Sequence, residues 1–138
     1  MCIRDSDNDA LLSLSGLSGL SSVNGYMTIE SNAALVSLSG LESLTSVNMD
    51  LTIDDNDALT SLRGLDGLLS VQGNFLVRSN DDLISLAGLE GLSTVGRDLY
   101  FMDNLALCAD EVDDLVTQLI KYNGTTKNTN NYGLCLGR

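Results

Sequence analysis

A spacing of 24 residues organises this sequence. Leucines and valines at fixed offsets from a recurring asparagine repeat in one register along most of the chain. One such unit cannot bury its own apolar side chains, whereas stacked units place each leucine over its counterpart and form one continuous core. The repeat therefore predicts a solenoid in which each unit is one coil. The recurring asparagines are Asn8, Asn32, Asn56, Asn80 and Asn104.

Each unit contains a short segment in which apolar and polar residues alternate, at residues 27–29, 51–53, 75–77 and 99–101. This alternation predicts strands with one buried face, which stacking would join into a parallel sheet. Two further extended segments, near residues 35–38 and 44–47 in the second unit, would form the other sides of the coil. The predicted fold class is a β-rich solenoid, a parallel β-helix of 24-residue coils. Glycines are expected to turn the corner between those two segments, at Gly16, Gly40, Gly64 and Gly88.

The asparagine column has an explanation that requires no ligand. A side-chain amide inside a turn satisfies backbone groups that the bend leaves unpaired, and stacked amides can bond to one another. We therefore expect these asparagines to be structural. Serine columns, such as that of Ser37 and Ser85, are expected to bond nearby turn backbone in the same way.

The period ends after Asn104, and residues 109–122 instead carry apolar side chains at helical spacing. Acidic residues in the first turns and an Asn-Gly pair after Tyr122 are typical of a helix start and stop. An amphipathic helix here would close the open end of the core as a capping helix. Three regions follow: a non-repeat leader at residues 1–6, the repeats at 7–107, and a helical cap and tail at 108–138.

The leader does not match the repeat, because Asp5 falls in the apolar column of Ile29 and Ile53. We expect the first strand to be missing or replaced, residues 1–6 to lie outside the native structure, and the remainder of a longer polypeptide to precede them. Cys108 and Cys135 flank the predicted helix, so a disulfide would hold the helix and tail on the last coil. Such a bridge is typical of an oxidising compartment, and two buried free thiols in a cytoplasmic protein are the alternative.

Composition limits the possible functions. A net charge of −12 with seven basic residues disfavours binding to nucleic acid and to anionic membrane surfaces. No apolar run approaches the roughly 20 residues that span a bilayer, so membrane insertion is not expected. No cofactor or metal site is predicted, because the acidic run near Asp5 has Ala10 where a calcium loop needs glycine. Without histidine, catalysis would rest on carboxylates, as in glycan hydrolysis by the acidic pairs near Asp54 and Asp81.

The outward positions of the main sheet are the best candidate for a binding surface. Apolar Leu76 and Tyr100 are expected there side by side, where solvated sheets are usually polar, and could anchor a partner. An equal alternative is that Tyr100 and Met102 pack under the C-terminal tail. The candidate ligand-binding residues are Thr52, Asp54, Leu76, Arg78, Asp98 and Tyr100.

The strand motif resembles the L-x-L-x-x-N signature of the leucine-rich repeat superfamily, in Met27-x-Ile29-x-x-Asn32 and its equivalents. The run L-x-S-L-x-G-L-x-x-L-x-S-V-x-G, and an ending with Leu107-Cys108, a helix and a second cysteine, are similar to the receptor L-domain. This resemblance covers residues 7–135 and implies a right-handed β-solenoid. It also implies a non-enzymatic extracellular or cell-surface module that recognises a protein or glycan, or adheres to one. A structural spacer in a larger surface protein is the main alternative.

Overall fold

The computed structural model describes residues 1–135, which form two parallel β-sheets and one α-helix. The larger sheet contains, in spatial order, β1 (Ile3–Ser6), β3 (Met27–Glu30), β5 (Leu51–Asp54), β7 (Phe75–Arg78), β9 (Leu99–Met102) and β10 (Thr126–Thr129). The smaller sheet contains β2 (Ser22–Val23), β4 (Ser46–Val47), β6 (Ser70–Val71) and β8 (Thr94–Val95). A short 3-10 turn covers Ser15–Leu17, and the helix α1 covers Ala109–Gln118.

The register of both sheets follows the sequence repeat. Met27 lies opposite Leu51, and Leu51 lies opposite Phe75, in the larger sheet. Val47 lies opposite Val71 in the smaller sheet. Equivalent residues of successive repeats are therefore neighbours, which confirms the prediction of a β-rich, parallel fold.

The core lies behind the larger sheet and consists of the repeated aliphatic positions. Side chains alternate along each strand, so Leu51 and Ile53 are fully buried while Thr52 between them is half-buried. Two aromatic rings enlarge the core near its C-terminal end, where Phe75 and Phe101 meet edge to face with ring centroids 5.8 Å apart.

The segments near residues 35–38 are not the strands that we predicted. Within residues 1–135, the corresponding segments of neighbouring repeats form one isolated bridge, between Ser61 and Ser85, and scattered backbone hydrogen bonds such as that from Leu38 N to Arg63 O at 3.3 Å. The predicted segment at 44–47 is shorter than expected and forms a strand only at Ser46–Val47. Turn hydrogen bonds replace the missing ladder, such as that from Leu35 N to Asn32 O at 3.0 Å.

A first strand is present and is formed by the leader residues Ile3–Ser6, so of the two predicted alternatives, a missing or a replaced strand, the first is wrong. Residues of β1 pair in parallel register with β3, with Ile3 opposite Met27 and Asp5 opposite Ile29. The half-buried Asp5 takes the place of an apolar residue, and burial raises the pKa of its carboxyl. Its Oδ1 accepts a hydrogen bond from Asn8 Nδ2 at 2.7 Å, which compensates in part for that burial.

The helix is shorter than predicted, and the tail after it contains a strand. Helix α1 ends at Gln118, because the next residue is extended and Ile120 and Lys121 donate backbone hydrogen bonds to Ser93 O. Residues of the tail then form β10, which pairs in parallel with β9. Within residues 1–135, α1 falls short of the length and apolarity that a membrane-crossing helix needs.

Candidate functional site

The outward face of the larger sheet carries all six candidate ligand-binding residues. Here "outward face" means the side chains of the larger sheet that alternate with the core positions, together with the residue just before each strand. The sheet register aligns its central column as Arg4, Thr28, Thr52, Leu76, Tyr100 and Lys127.

Leu76 and Tyr100 are cross-strand neighbours on this face, on β7 and β9, and both are half-buried. The tail lies beside Tyr100 in the sheet, because Lys127 of β10 is its partner in the register. The Lys127 Nζ atom is 5.8 Å from the Tyr100 ring centroid, a cation–π distance. An apolar pair therefore faces outward with a cation at its edge.

The candidate charges Asp54 and Arg78 are bound to each other. Arg78 Nε donates to Asp54 Oδ1 at 3.1 Å, and Arg78 Nη2 forms an ion pair with the second carboxylate oxygen. The hydrogen bond to Asp54 raises the pKa of Arg78 above its ordinary value. Arg4 and Glu30 form a similar ion pair two strands away. These charges lie across neighbouring strands, a pairing that the sequence analysis missed.

Asp98 has a structural role that the sequence analysis also missed. Its Oδ1 accepts hydrogen bonds from the backbone N–H of Thr125 at 2.8 Å and from the Thr125 hydroxyl at 3.0 Å. Earlier repeats use the same device, because Asn74 N donates to Asp50 Oδ1 and Asp98 N donates to Asn74 Oδ1. Asp98 thus attaches the start of β10 to the sheet.

The acid stability of the tail should depend on Asp98. The hydrogen bonds from Thr125, followed by that from the Tyr100 hydroxyl, hold the pKa of Asp98 below its usual range. A carboxyl with a lowered folded-state pKa stabilises the fold above its unfolded pKa of about 3.9, and this stability is lost as the pH falls through the folded value. Asp98→Asn keeps an acceptor oxygen but cannot titrate, so the variant should show a flatter acidic limb in a series of thermal unfolding curves. Identical acid dependence in both proteins would contradict this assignment.

The repeated asparagines form a buried ladder through four repeats. Asn56 Oδ1 accepts hydrogen bonds from the backbone N–H of Asn32 at 3.2 Å and from its Nδ2 at 3.3 Å. Asn56 Nδ2 in turn donates to Ile29 O at 3.1 Å and to Asp54 O at 3.0 Å. The residue before each ladder asparagine has a positive φ, 57° at Asp55, which turns the amide inward. The fully buried members are Asn32, Asn56, Asn80 and Asn104.

The two ends of the ladder differ from the prediction. Asn8 is exposed, and its Nδ2 bonds Asp5 and Ser6 near the first strand. Asn131, which the analysis missed, forms a further rung, since its Oδ1 accepts from Asn104 N at 3.1 Å. The signal was present: residues 126, 128 and 131 keep the spacing of residues 99, 101 and 104. The helix shifts this unit out of the 24-residue period.

At three of the glycine corners, the backbone N–H of the glycine donates a hydrogen bond to the carboxylate two residues later. The backbone N–H of Gly64, which has φ of +108°, donates to Asp66 Oδ2 at 2.8 Å. Gly40 and Gly88 donate to Glu42 and Glu90 in the same way, at 2.9 and 2.8 Å. The acidic residues of this column therefore have a structural role, because their carboxylates bind backbone N–H groups.

The predicted disulfide between Cys108 and Cys135 is confirmed, with Cα atoms 5.1 Å apart. Closing this 27-residue separation should stabilise the fold by about 3 kcal/mol. Among residues 1–135, one group of potential metal ligands occurs, formed by the two bridged cysteines and Asp110. The bridge occupies both sulfurs, so these residues do not form a thiolate metal site. A disulfide of this kind is typical of an oxidising environment.

The chain was also compared with known proteins. No family model, no curated protein and no solved structure matches it.

Proposed function

We propose that this chain is a right-handed parallel β-helix of the receptor L-domain type, within the leucine-rich repeat superfamily. It acts as a non-enzymatic extracellular recognition or adhesion module. The solenoid assignment is supported by the in-register parallel pairing of every repeat and by the asparagine ladder that runs through them.

Helix α1 is proposed to be the cap that closes the C-terminal end of the solenoid. Its Val112 and Leu115 are buried in the core. Its polar side chains reach the backbone of the last repeat: Gln118 Nε2 donates to Leu89 O at 2.8 Å, and Glu111 Oε2 accepts from Leu86 N at 3.0 Å. A terminal unit that satisfies these groups would protect the last repeat from unwanted pairing.

An extracellular or cell-surface location is supported by the Cys108–Cys135 bridge, because intracellular reductants keep most thiols free. The acidic net charge of −12 agrees with a soluble surface and argues against phosphate-rich partners.

The single observation that carries the recognition proposal is the apolar pair of Leu76 and Tyr100, which are cross-strand neighbours on the outward face. Their charged neighbours Asp54 and Arg78 bind each other, and Asp98 binds the tail, so these groups would form the polar surroundings of a partner site. Thr52 continues the central column next to Leu76. Such a surface fits a protein or glycan that covers an aromatic anchor.

Experiment can distinguish the recognition module from two other functions, a structural spacer and a glycan hydrolase. A structural spacer would need no such face, so changes at Leu76 and Tyr100 would leave its activity unaltered. A carboxylate-dependent glycan hydrolase would release reducing sugar and would depend on the acidic residues near Asp54 and Asp81. A glycan and secreted-protein array identifies the binding partner, and a sugar-release assay on its glycan hits separates binding from hydrolysis.

Removal of the apolar pair should weaken binding of the partner found on that array. Tyr100→Ala is expected to cost about 2 kcal/mol, or about thirtyfold in Kd, because a central aromatic side chain dominates many interfaces. Leu76→Ser should act in the same direction. Both side chains point away from the core, so the fold should remain intact. Surface plasmon resonance measures the loss.

Ile84→Ser is the matched control, because Ile84 is 62% exposed and lies outside both sheets. Its replacement should leave the Kd unchanged. Glu42 and Asp66 are unsuitable controls, because they hold the glycine corners. If binding survives both face variants but is lost in Ile84→Ser, the recognition surface lies on another side of the molecule.

A further inference from the structure

One triplet of the sequence, Asn123-Gly124-Thr125, is an Asn-x-Thr acceptor for N-linked glycosylation, and the sequence contains no other Asn-x-Ser or Asn-x-Thr. The ladder asparagines are buried and lack the hydroxyl residue two positions later. An Asn-Gly pair is also a common turn sequence, so the triplet alone does not decide between a turn and a modification site.

The fold accounts for two of the three residues. A Cβ atom added at Gly124 would lie 2.1 Å from Arg97 O, so the close approach of the two backbone segments requires glycine. Thr125 donates its hydroxyl and its N–H to Asp98. These contacts explain Gly124 and Thr125 without any modification.

Asn123 is the residue that the fold does not explain. It is exposed, it lies between the short bridge at Lys121 and the start of β10, and its amide makes no hydrogen bond to residues 1–135. A glycan attached to its Nδ2 atom would extend into solvent without displacing any contact in this part of the chain. The accessible asparagine and the fixed threonine together form a site that the folded protein can carry in modified form.

We propose that Asn123 carries an N-linked glycan in the secreted protein. The amide Nδ2 attacks the anomeric carbon of an oligosaccharide carried on a lipid diphosphate. A new C–N bond forms, the bond from that carbon to the diphosphate oxygen breaks, the lipid diphosphate leaves, and Nδ2 gives up one proton. This inference rests on the proposed extracellular location of the protein, and it does not depend on the outward face.

A glycan at Asn123 would lie near the C-terminal edge of the larger sheet. Asn123 lies three residues before Thr126, the first residue of β10, and β10 is the edge strand of the larger sheet within residues 1–135. Edge strands are protected in many proteins by features that block pairing with another chain, and a glycan would supply such protection here. Leu76 lies two strands from β10, about 10 Å at the usual strand spacing, and Tyr100 lies on the strand next to β10.

The test is secretion of the full chain from a eukaryotic cell line behind a signal peptide, followed by intact-mass and peptide analysis. Most of the secreted chains should carry the mass of one N-linked glycan. Enzymatic removal of the glycan should convert Asn123 to aspartate. Asn123→Gln should abolish the mass increase, whereas Thr125→Ser, which keeps the hydroxyl, should retain it.

A positive control guards against a host that fails to modify this chain. Tyr26→Thr creates an acceptor triplet at Asn24, which is exposed, and it is combined with Asn123→Gln. Formation of the Cys108–Cys135 bridge in every variant shows that the chain has folded. If the control is glycosylated and Asn123 of the native sequence is not, the proposal is overturned, while the proposed recognition function is unaffected.

Discussion

Asn56→Ala should lower the free energy of unfolding by about 3 kcal/mol or more, because it leaves several buried backbone groups unpaired at once. The substitution removes the acceptor of Asn32 N and the donor to Ile29 O. Both backbone groups lie in the interior, so water cannot readily replace the hydrogen-bond partner that each of them loses. Each unsatisfied buried group costs about 1 to 3 kcal/mol, and a typical domain has only about 5 to 15 kcal/mol in total.

Chemical denaturation followed by circular dichroism measures this effect, with Asn8→Ala as the matched control. Asn8 occupies the same repeat position but is exposed, so water can replace its side-chain contacts and the loss should stay below about 1 kcal/mol. Equal stability of Asn56→Ala and the native protein would show that the ladder contributes no net stabilisation.

The ladder was predictable because it obeys the same period as the core. A residue that satisfies a turn in one repeat must do so in each repeat that has the same backbone, so periodicity identifies its role without coordinates. Asn131 escaped detection for the converse reason, since α1 separates it from Asn104 by 27 residues. Its polar strand Thr126–Thr129 also lacks the alternation that marks the others.

The candidate face could be predicted only in part. Strand periodicity determines which side chains point outward, so Leu76 and Tyr100 were placed on the outward face correctly. The pairing of Arg78 with Asp54 depends on rotamers of long side chains, which sequence spacing does not determine. The contact of Asp98 with Thr125 depends on a strand that the sequence did not reveal.

The N-terminal strand shows a different limit of pattern reading. Asp5 breaks the apolar column, and a pattern argument treats such a break as the end of the repeat. Backbone pairing tolerates it, because a strand ladder is formed by main-chain groups and needs no particular side chain. An inward charge on an edge strand also discourages further pairing, so its presence there is physically reasonable.

Gly64→Ala should destabilise the protein by about 2 to 5 kcal/mol, through a strained backbone and a direct clash. Gly64 has φ of +108°, which residues with a Cβ atom rarely adopt, and that atom would lie 2.2 Å from Leu38 O. The obstacle is backbone of the neighbouring repeat, so relief would require the two repeats to move apart. Thermal unfolding monitored by circular dichroism should show a large fall in Tm.

Gly16→Ala tests this explanation at the equivalent position of the first repeat. No atom lies within 4 Å of a Cβ built there, and Gly16 is part of the 3-10 turn Ser15–Leu17 with no positive φ. Alanine should therefore be neutral or slightly stabilising at this site, since it restricts the unfolded chain. An equal loss of stability in both variants would contradict this explanation. The cost would then come from replacing any glycine at this repeat position, and not from the close packing of successive repeats at the corner.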